Sequence, residues 1–197
     1  MEFTITNNKK HLFITGAVLL MLCSIFQGLP QTFLDNISFN YSPIKDLIFA
    51  ISYSYVLYIF ITYFNFYSLR TLSILTKIIL ALELIGACIL ILKSMSVIDL
   101  SDLRSVSNTI VIIVEIIWLC YLLPLKNKDL TAISLLCNYG ISIIVTFFLA
   151  IVVMFNIVYS QVLSSYGISD FILAIPYAFL IYFGFNLKTV TDETAST

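Results

Sequence analysis

Six apolar runs, each long enough to cross a lipid bilayer, occupy most of this 197-residue chain. A membrane-crossing helix needs about 20 mostly apolar residues, and the runs lie at about 12–31, 46–67, 74–96, 107–125, 130–158 and 168–187. A backbone surrounded by hydrocarbon must satisfy its hydrogen bonds internally, which makes runs of this length helical. The sequence therefore predicts an all-α fold, a polytopic transmembrane bundle of six helices joined by short loops.

The composition excludes an ordinary soluble domain. Hydrophobic residues make up 60% of the chain and charged residues 11%, against roughly 45–50% and 25% in soluble proteins. The expected surroundings are therefore the lipid bilayer, where outward-facing side chains can be as apolar as the core. A net charge of −1 provides no basic face for nucleic acid, so no nucleic-acid partner is expected.

The first run raises the question of a cleaved signal peptide, because Lys9 and Lys10 precede the apolar stretch from Leu12 to Phe26. The small-residue cleavage site that a signal peptide requires is missing, so this run is interpreted as the first span. The predicted organisation is a cytoplasmic N-terminal segment over 1–11, a six-helix transmembrane domain over 12–187 and a disordered cytoplasmic tail over 188–197.

The distribution of basic residues predicts the orientation. With six spans, one side of the membrane collects seven basic residues and the other collects three. Since Lys and Arg are enriched in cytoplasmic loops, both termini are expected in the cytoplasm. Compactness and short loops favour a bacterial inner membrane over an organellar one. The seven are Lys9, Lys10, Arg70, Lys77, Lys126, Lys128 and Lys188, and the three are Lys45, Lys93 and Arg104.

The sequence offers no metal or cofactor signature. The four cysteines lie in four different runs without a paired metal spacing, so no metal site is expected. His11, the single histidine, lies at the entrance of the first run and not at membrane depth. No cofactor is expected, and without an intramembrane histidine or a serine–histidine set an enzyme is the less favoured interpretation.

Glu83 and Glu115 are the strongest candidates for a functional site, because both lie inside apolar runs. A charged side chain near the bilayer centre costs about 2.5–3.5 kcal/mol. The residues three and four positions from each glutamate are uncharged, so neither has a cation within its own helix. Every Lys and Arg falls in a loop or near a span end, which leaves both carboxyls without an expected cationic partner at depth.

Two interpretations of these carboxyls remain open. The consecutive third and fourth runs are antiparallel, so the two glutamates can meet and hold a proton or a small cation. Alternatively, a protonated glutamate links two helices by a hydrogen bond and has only a structural role.

A stripe of polar and aromatic side chains on neighbouring runs could line a path beside the glutamates. Small residues near Glu83, such as Gly86 and Ala87, are expected to permit close approach of another helix. Such stripes also form the ordinary interface of a membrane bundle. The candidate seam comprises Asn108 and Trp118 in the fourth run, Asn138 and Ser142 in the fifth, and Tyr55, Tyr58 and Asn65 in the second.

Two functional hypotheses follow. The first is a proton- or cation-coupled transporter that uses the intramembrane carboxylates. The alternative is a non-catalytic membrane subunit or substrate-binding component of a larger complex, whose glutamates pair with a basic residue of the partner. The expected partners are thus a proton or small cation, and either another membrane protein or further copies of this chain.

Overall fold

A computed structural model describes residues 2–27, 42–94, 101–130, 132–160, 172 and 174–190. The described part of the chain contains six α-helices, one 3₁₀ segment and two very short strands. In chain order these are β1 (Thr4–Ile5), α1 (Asn7–Gln27), α2 (Ser42–Phe66), α3 (Arg70–Ser94), α4 (Ser101–Leu122), the 3₁₀ segment Leu123–Asn127, α5 (Ile133–Ser160), α6 (Ile175–Asn186) and β2 (Lys188–Thr189).

The predicted fold class is confirmed. Within the described residues, five helices are long and apolar enough to cross a membrane, and α6 is a sixth apolar helix of 12 residues. The chain is therefore a multi-pass helical membrane protein. The first four helices begin four to six residues earlier than their predicted runs. Pro176 lies in the first turn of α6, where its missing N–H costs no intrahelical hydrogen bond.

The helices form a ring that closes on itself. Consecutive helices α1 to α4 pack side by side, α5 packs on α6, and α6 returns to pack on α1. Contact between α4 and α5 is sparse, and the 3₁₀ segment that follows α4 packs against both. Half of the membrane-spanning window of α2 is buried, against 28–39% in the other four long helices. The helix α2 is therefore the central element of the bundle.

A tight turn joins α2 to α3. Ser68 adopts φ 56°, and the N–H of Leu69 donates to the carbonyl of Phe64 at 2.8 Å, which closes the end of α2. Across this turn the Ser73 hydroxyl donates to Asn65 Oδ1 at 2.7 Å. The short connection holds α2 and α3 antiparallel along their length.

The two ends of the described chain meet at one end of the bundle. β1 and β2 pair in parallel, with Thr4 opposite Lys188 and Ile5 opposite Thr189. Lys10 Nζ donates to the carbonyls of Phe185 and Leu187 at 2.8 Å and 2.7 Å, satisfying acceptors at the C-terminal end of α6. The predicted tail begins at Lys188, so its first two residues are part of this pair, and residues 191–197 lie outside the described part of the chain.

An aromatic cluster fills the core around α2. The Phe60 ring lies 6.0–6.2 Å, between ring centroids, from the rings of Phe13, Trp118, Tyr139 and Phe183, which come from four other helices. All five side chains are buried. The cluster fills the half of the bundle that is nearer the β1–β2 pair. The cavity described below lies in the opposite half.

Candidate functional site

Glu115 lies inside the bundle and accepts a hydrogen bond from a neighbouring helix. It lies on α4, seven residues before the end of that helix. The Tyr53 hydroxyl, from α2, donates to Glu115 Oε1 at 2.9 Å, and Tyr53 is only 9% exposed. We call this pair the Tyr53–Glu115 site. The Glu115 carboxyl thus accepts a hydrogen bond from the largely buried side chain of Tyr53, as a polar group in apolar surroundings requires.

A cavity of about 20 Å³ adjoins the Tyr53–Glu115 site. Its polar side chains include Tyr53, Glu115 and Tyr139, and most of the remaining lining is apolar. A cavity of roughly 10–15 Å³ or more can hold one water when two to four polar groups surround it. The size of this cavity matches a single water molecule, but its wall is almost wholly apolar, so the hydroxyl of Tyr53 is the polar contact that the structure shows for the Glu115 carboxyl.

Trp118 lies one turn beyond Glu115 and holds α4 against α3. Its indole Nε1 donates to Thr76 Oγ1 at 2.9 Å, and that hydroxyl in turn donates to the Leu72 carbonyl at 2.7 Å. The Trp118 ring also stacks on Phe60, with a centroid distance of 6.1 Å. Because both its polar atom and its ring are engaged, Trp118 fixes the rotation of α4 that directs Glu115 towards Tyr53.

Glu83 lines a larger cavity of about 250 Å³, which we call the Lys45–Glu83 cavity. It lies between the C-terminal part of α1, the first turns of α2, the second half of α3 and the first half of α4. This is the half of the bundle away from the β1–β2 pair. The lining residues are Cys23, Lys45, Asp46, Phe49, Ala50, Glu83, Gly86, Ala87, Leu90 and Asn108.

This cavity changes two expectations about Glu83. No cation was expected near it at membrane depth, yet Lys45, in the first turn of α2, lines the same cavity. Lys45 also pairs with Asp46, with 3.6 Å between Nζ and Oδ1. Gly86 and Ala87 were expected to admit a close helix neighbour, but both line the cavity, and a Cβ at Gly86 would meet nothing within 4 Å.

The two glutamates lie on neighbouring helices. Glu83 is on α3 and Glu115 is on the adjacent, antiparallel helix α4, and each lines a cavity. The hydroxyl of Tyr177, from α6, is hydrogen-bonded to the Ser24 side chain of α1. Two carboxyls on adjacent helices, each beside a cavity, form an arrangement suited to holding a proton or a cation.

The predicted polar seam is divided by the structure. Asn108 lines the Lys45–Glu83 cavity, and Trp118 lines the small cavity beside Glu115. Ser142 is buried on α5 and donates to the Tyr139 carbonyl at 2.6 Å, so its hydroxyl serves its own helix. Asn138, also on α5, is half-buried and lines neither cavity.

The three seam residues of α2 lie away from the carboxyls. Tyr58 is 45% exposed on the outer surface of the bundle. The Tyr55 hydroxyl donates to the Lys9 carbonyl at 3.4 Å, near the start of α1. Asn65 belongs to the turn between α2 and α3. The side of α2 that faces Glu115 is the one that carries Tyr53, two residues before Tyr55.

Sequence reasoning missed the groups that surround the carboxyls. Tyr53, Tyr139 and Tyr177 lie in runs already rich in tyrosine and phenylalanine, where hydropathy does not single them out. Lys45 and Asp46 lie at the start of the second run and resemble ordinary residues of a membrane edge. One signal in the sequence was the pair of adjacent opposite charges at Lys45 and Asp46. A position at the membrane edge does not by itself require such a pair. Among the described residues, no three His, Cys, Asp or Glu side chains come together as a metal site would need.

Comparison of the chain with protein-family models, with curated proteins and with solved structures finds no match. The geometry of the two glutamates and their neighbours is therefore the basis for a functional proposal.

Proposed function

We propose that this membrane protein is a proton- or cation-coupled transporter in which Glu83 and Glu115 together bind the coupling ion. The observation that carries the proposal is a cavity lined by one intramembrane carboxyl, with a second carboxyl on the adjacent helix. Glu83 of α3 lines the Lys45–Glu83 cavity, and Glu115 of α4 accepts a hydrogen bond from Tyr53. Ionisable groups at membrane depth usually mark ion or proton pathways.

The depth of Glu83 supports an ion-binding role. Glu83 lies thirteen residues after the start of α3 and eleven before its end, which at 1.5 Å per residue is about 20 Å and 16 Å. An ion bound there is near the middle of a hydrocarbon layer about 30 Å thick. A purely structural glutamate has no need of a cavity of about 250 Å³ beside it.

Packing on the other side supports a transporter over an open channel. The aromatic cluster around Phe60 fills the bundle between Glu115 and the end where β1 and β2 pair. Glu83 therefore borders a cavity in one half of the bundle, and Glu115 borders the packed core in the other. Alternating access requires such a difference between the two sides of the site.

The proposed location is a bacterial inner membrane with both termini in the cytoplasm. The orientation rests on the excess of basic residues on the side that carries the termini, seven against three, and the bacterial origin rests on the compactness of the chain and its short loops. In this orientation the Lys45–Glu83 cavity lies in the outer half of the bilayer. Reporter fusions at each terminus and in the loop between α2 and α3 test the orientation, and all three are expected on the cytoplasmic side.

The direct test of ion coupling is proton movement in liposomes that contain the purified protein and an internal pH-sensitive dye. Proton entry is driven first by a potassium diffusion potential and then by an outward sodium gradient. The native protein is expected to move protons under at least one of these conditions. Glu83→Gln and Glu115→Gln are expected to reduce the rate at least tenfold, since neither amide can bind a proton or a cation as a carboxylate does.

A matched control is Glu2→Gln, which makes the same chemical change at an exposed residue paired with Lys188 at the end of the bundle. This variant should transport like the native protein. Rates in Glu83→Gln and Glu115→Gln that equal the native rate would refute the proposal. Absence of proton movement in the native protein under both driving forces would also refute it.

The alternative is a partner subunit that supplies a basic residue to neutralise the glutamates. In the described part of the chain, Tyr53 donates to Glu115, whereas Lys45 shares the cavity with Glu83 but pairs with Asp46. Measuring the mass of the detergent-solubilised protein decides between a single chain, a homo-oligomer and a complex with another protein.

A further inference from the structure

The size of the Lys45–Glu83 cavity exceeds what a coupling ion needs. A cavity needs roughly 10–15 Å³ to hold one water molecule, whereas this cavity measures about 250 Å³. A proton, or a metal ion with its nearest ligands, would leave most of this space to water. Space on this scale, bordered by both charged and apolar side chains, is suited to a small organic molecule.

The charges that line the cavity favour a cation. Lys45 and Asp46 lie 3.6 Å apart and largely offset each other. Glu83 is then the charged lining group without an offsetting partner on its own helix, and its neighbour Glu115 adds a second acidic group rather than a cation. An anion placed here would meet an excess of acidic groups, and a cation would be attracted to it.

The remaining lining favours a cation with an apolar body. Phe49, Ala50, Ala87 and Leu90 supply apolar surface, and Gly86 leaves space where a side chain would otherwise project. An aromatic ring such as that of Phe49 also attracts ammonium groups through its face. Asn108 supplies a neutral hydrogen-bonding group on the α4 side of the cavity.

We propose that the Lys45–Glu83 cavity binds a small organic cation, an amine in its ammonium form with an apolar body, and that Glu83 is its counter-ion. This inference rests on the proposed transport function and names the class of its substrate. Glu83 binds the ammonium group, and the apolar surface of α2 and α3 holds the body of the molecule. Lys45 keeps Asp46 neutralised, so the cation binds on the side of Glu83.

The test is isothermal titration calorimetry on the purified full-length protein in detergent. The cationic probes are ethylammonium, phenethylammonium and tetramethylammonium. The matched probes are 2-phenylethanol, which is neutral, 3-phenylpropanoate, which is an anion, and phenylalanine, which is a zwitterion. At least one of the three cations is expected to bind, and 2-phenylethanol and 3-phenylpropanoate are expected to bind at least tenfold more weakly than phenethylammonium.

Three variants assign the binding to this cavity. Glu83→Gln should weaken cation binding by about tenfold to a hundredfold, the usual range for a hydrogen bond to a charged group. Gly86→Leu changes no charge but fills the open space around Gly86. It should therefore weaken the binding of phenethylammonium more than the binding of the smaller ethylammonium. Lys45→Gln frees Asp46 as a second carboxylate and should strengthen cation binding. Unchanged thermal melting of each variant shows that it is folded.

Several results would overturn the inference. They are no binding of any cation to the native protein, equal binding of 2-phenylethanol and phenethylammonium, or unchanged cation binding in both Glu83→Gln and Gly86→Leu. Tighter binding of phenylalanine than of phenethylammonium, lost in Lys45→Gln, would make the ligand a zwitterion. The calorimetry does not depend on proton movement, so the two proposals can fail separately. Proton movement without amine binding would refute only the amine proposal. Amine binding without proton movement would refute only ion coupling.

Discussion

Replacement of Gly184 by alanine tests the closure of the helix ring between α1 and α6. A Cβ at this position would lie 2.8 Å from Phe13 Cδ1 and 2.8 Å from Ile14 Cγ1. Carbon atoms have their most favourable separation at about 3.5–4.0 Å. Phe13 is fully buried, and its ring packs against Phe183 and Phe60 at centroid distances of 5.7 Å and 6.2 Å. The ring has no free space to enter, so the added methyl group must push the two helices apart.

The expected magnitude follows from two opposing effects. Forcing an extra methyl group into a packed core costs about 1–3 kcal/mol, and alanine recovers up to about 1 kcal/mol over glycine in a helix. Gly86→Ala is the matched control, because its Cβ would meet nothing within 4 Å and the variant receives only the favourable effect. Gly184→Ala should therefore be less stable than Gly86→Ala by about 1–3 kcal/mol.

Equilibrium unfolding in mixed micelles of a mild detergent and dodecyl sulfate measures this difference. A second variant, Phe13→Val, has no δ or ε atoms and so removes the ring atoms that the methyl group would meet. Gly184→Ala should therefore cost less in the Phe13→Val background than in the native protein. Equal stability of Gly184→Ala and Gly86→Ala, with no coupling to Phe13, would refute the close packing of α1 on α6.

Three further variants test particular contacts. Tyr53→Phe keeps the ring but removes the hydroxyl that donates to Glu115. It should destabilise the protein by about 1–3 kcal/mol in the same unfolding assay and slow proton movement in liposomes. Native values in both assays would contradict the hydrogen bond. Trp118→Phe loses the donor to Thr76 and should lower the unfolding free energy by about 1 kcal/mol or more. Lys10→Met leaves two carbonyls at the end of α6 without their donor and should increase hydrogen exchange in the last turn of α6, measured by mass spectrometry, while exchange in the middle of α3 is unchanged.

Much of the architecture could be predicted from the chain itself. The length and apolar character of each run predicted the helices, because a backbone in hydrocarbon has few other ways to satisfy its hydrogen bonds. Glu83 and Glu115 could be singled out for a similar reason, since the cost of a charge at membrane depth makes an unpaired carboxyl conspicuous. Their position on adjacent, antiparallel helices, which the structure confirms, also predicts that they can meet.

The surroundings of the carboxyls could not be predicted in the same way. In water, the apolar face of a helix identifies its buried side, but in lipid both the buried and the exposed face are apolar. Hydropathy therefore cannot show whether Tyr53 of α2 faces Glu115, or instead Tyr55 and Tyr58. Packing of Phe60 among rings from four other helices fixes the rotation of α2, and only that rotation directs Tyr53 to Glu115.

The sequence by itself determined the number of helices and the presence of two carboxyls at membrane depth. Both follow from the cost of placing unpaired backbone groups and charged side chains in hydrocarbon. The tertiary structure alone decided which groups those carboxyls meet. It placed Lys45 of α2 in one cavity with Glu83 of α3 and left the space around Gly86 open. The physical reason is that helix rotation and spacing depend on close packing between side chains distant in sequence, which no single run of residues contains.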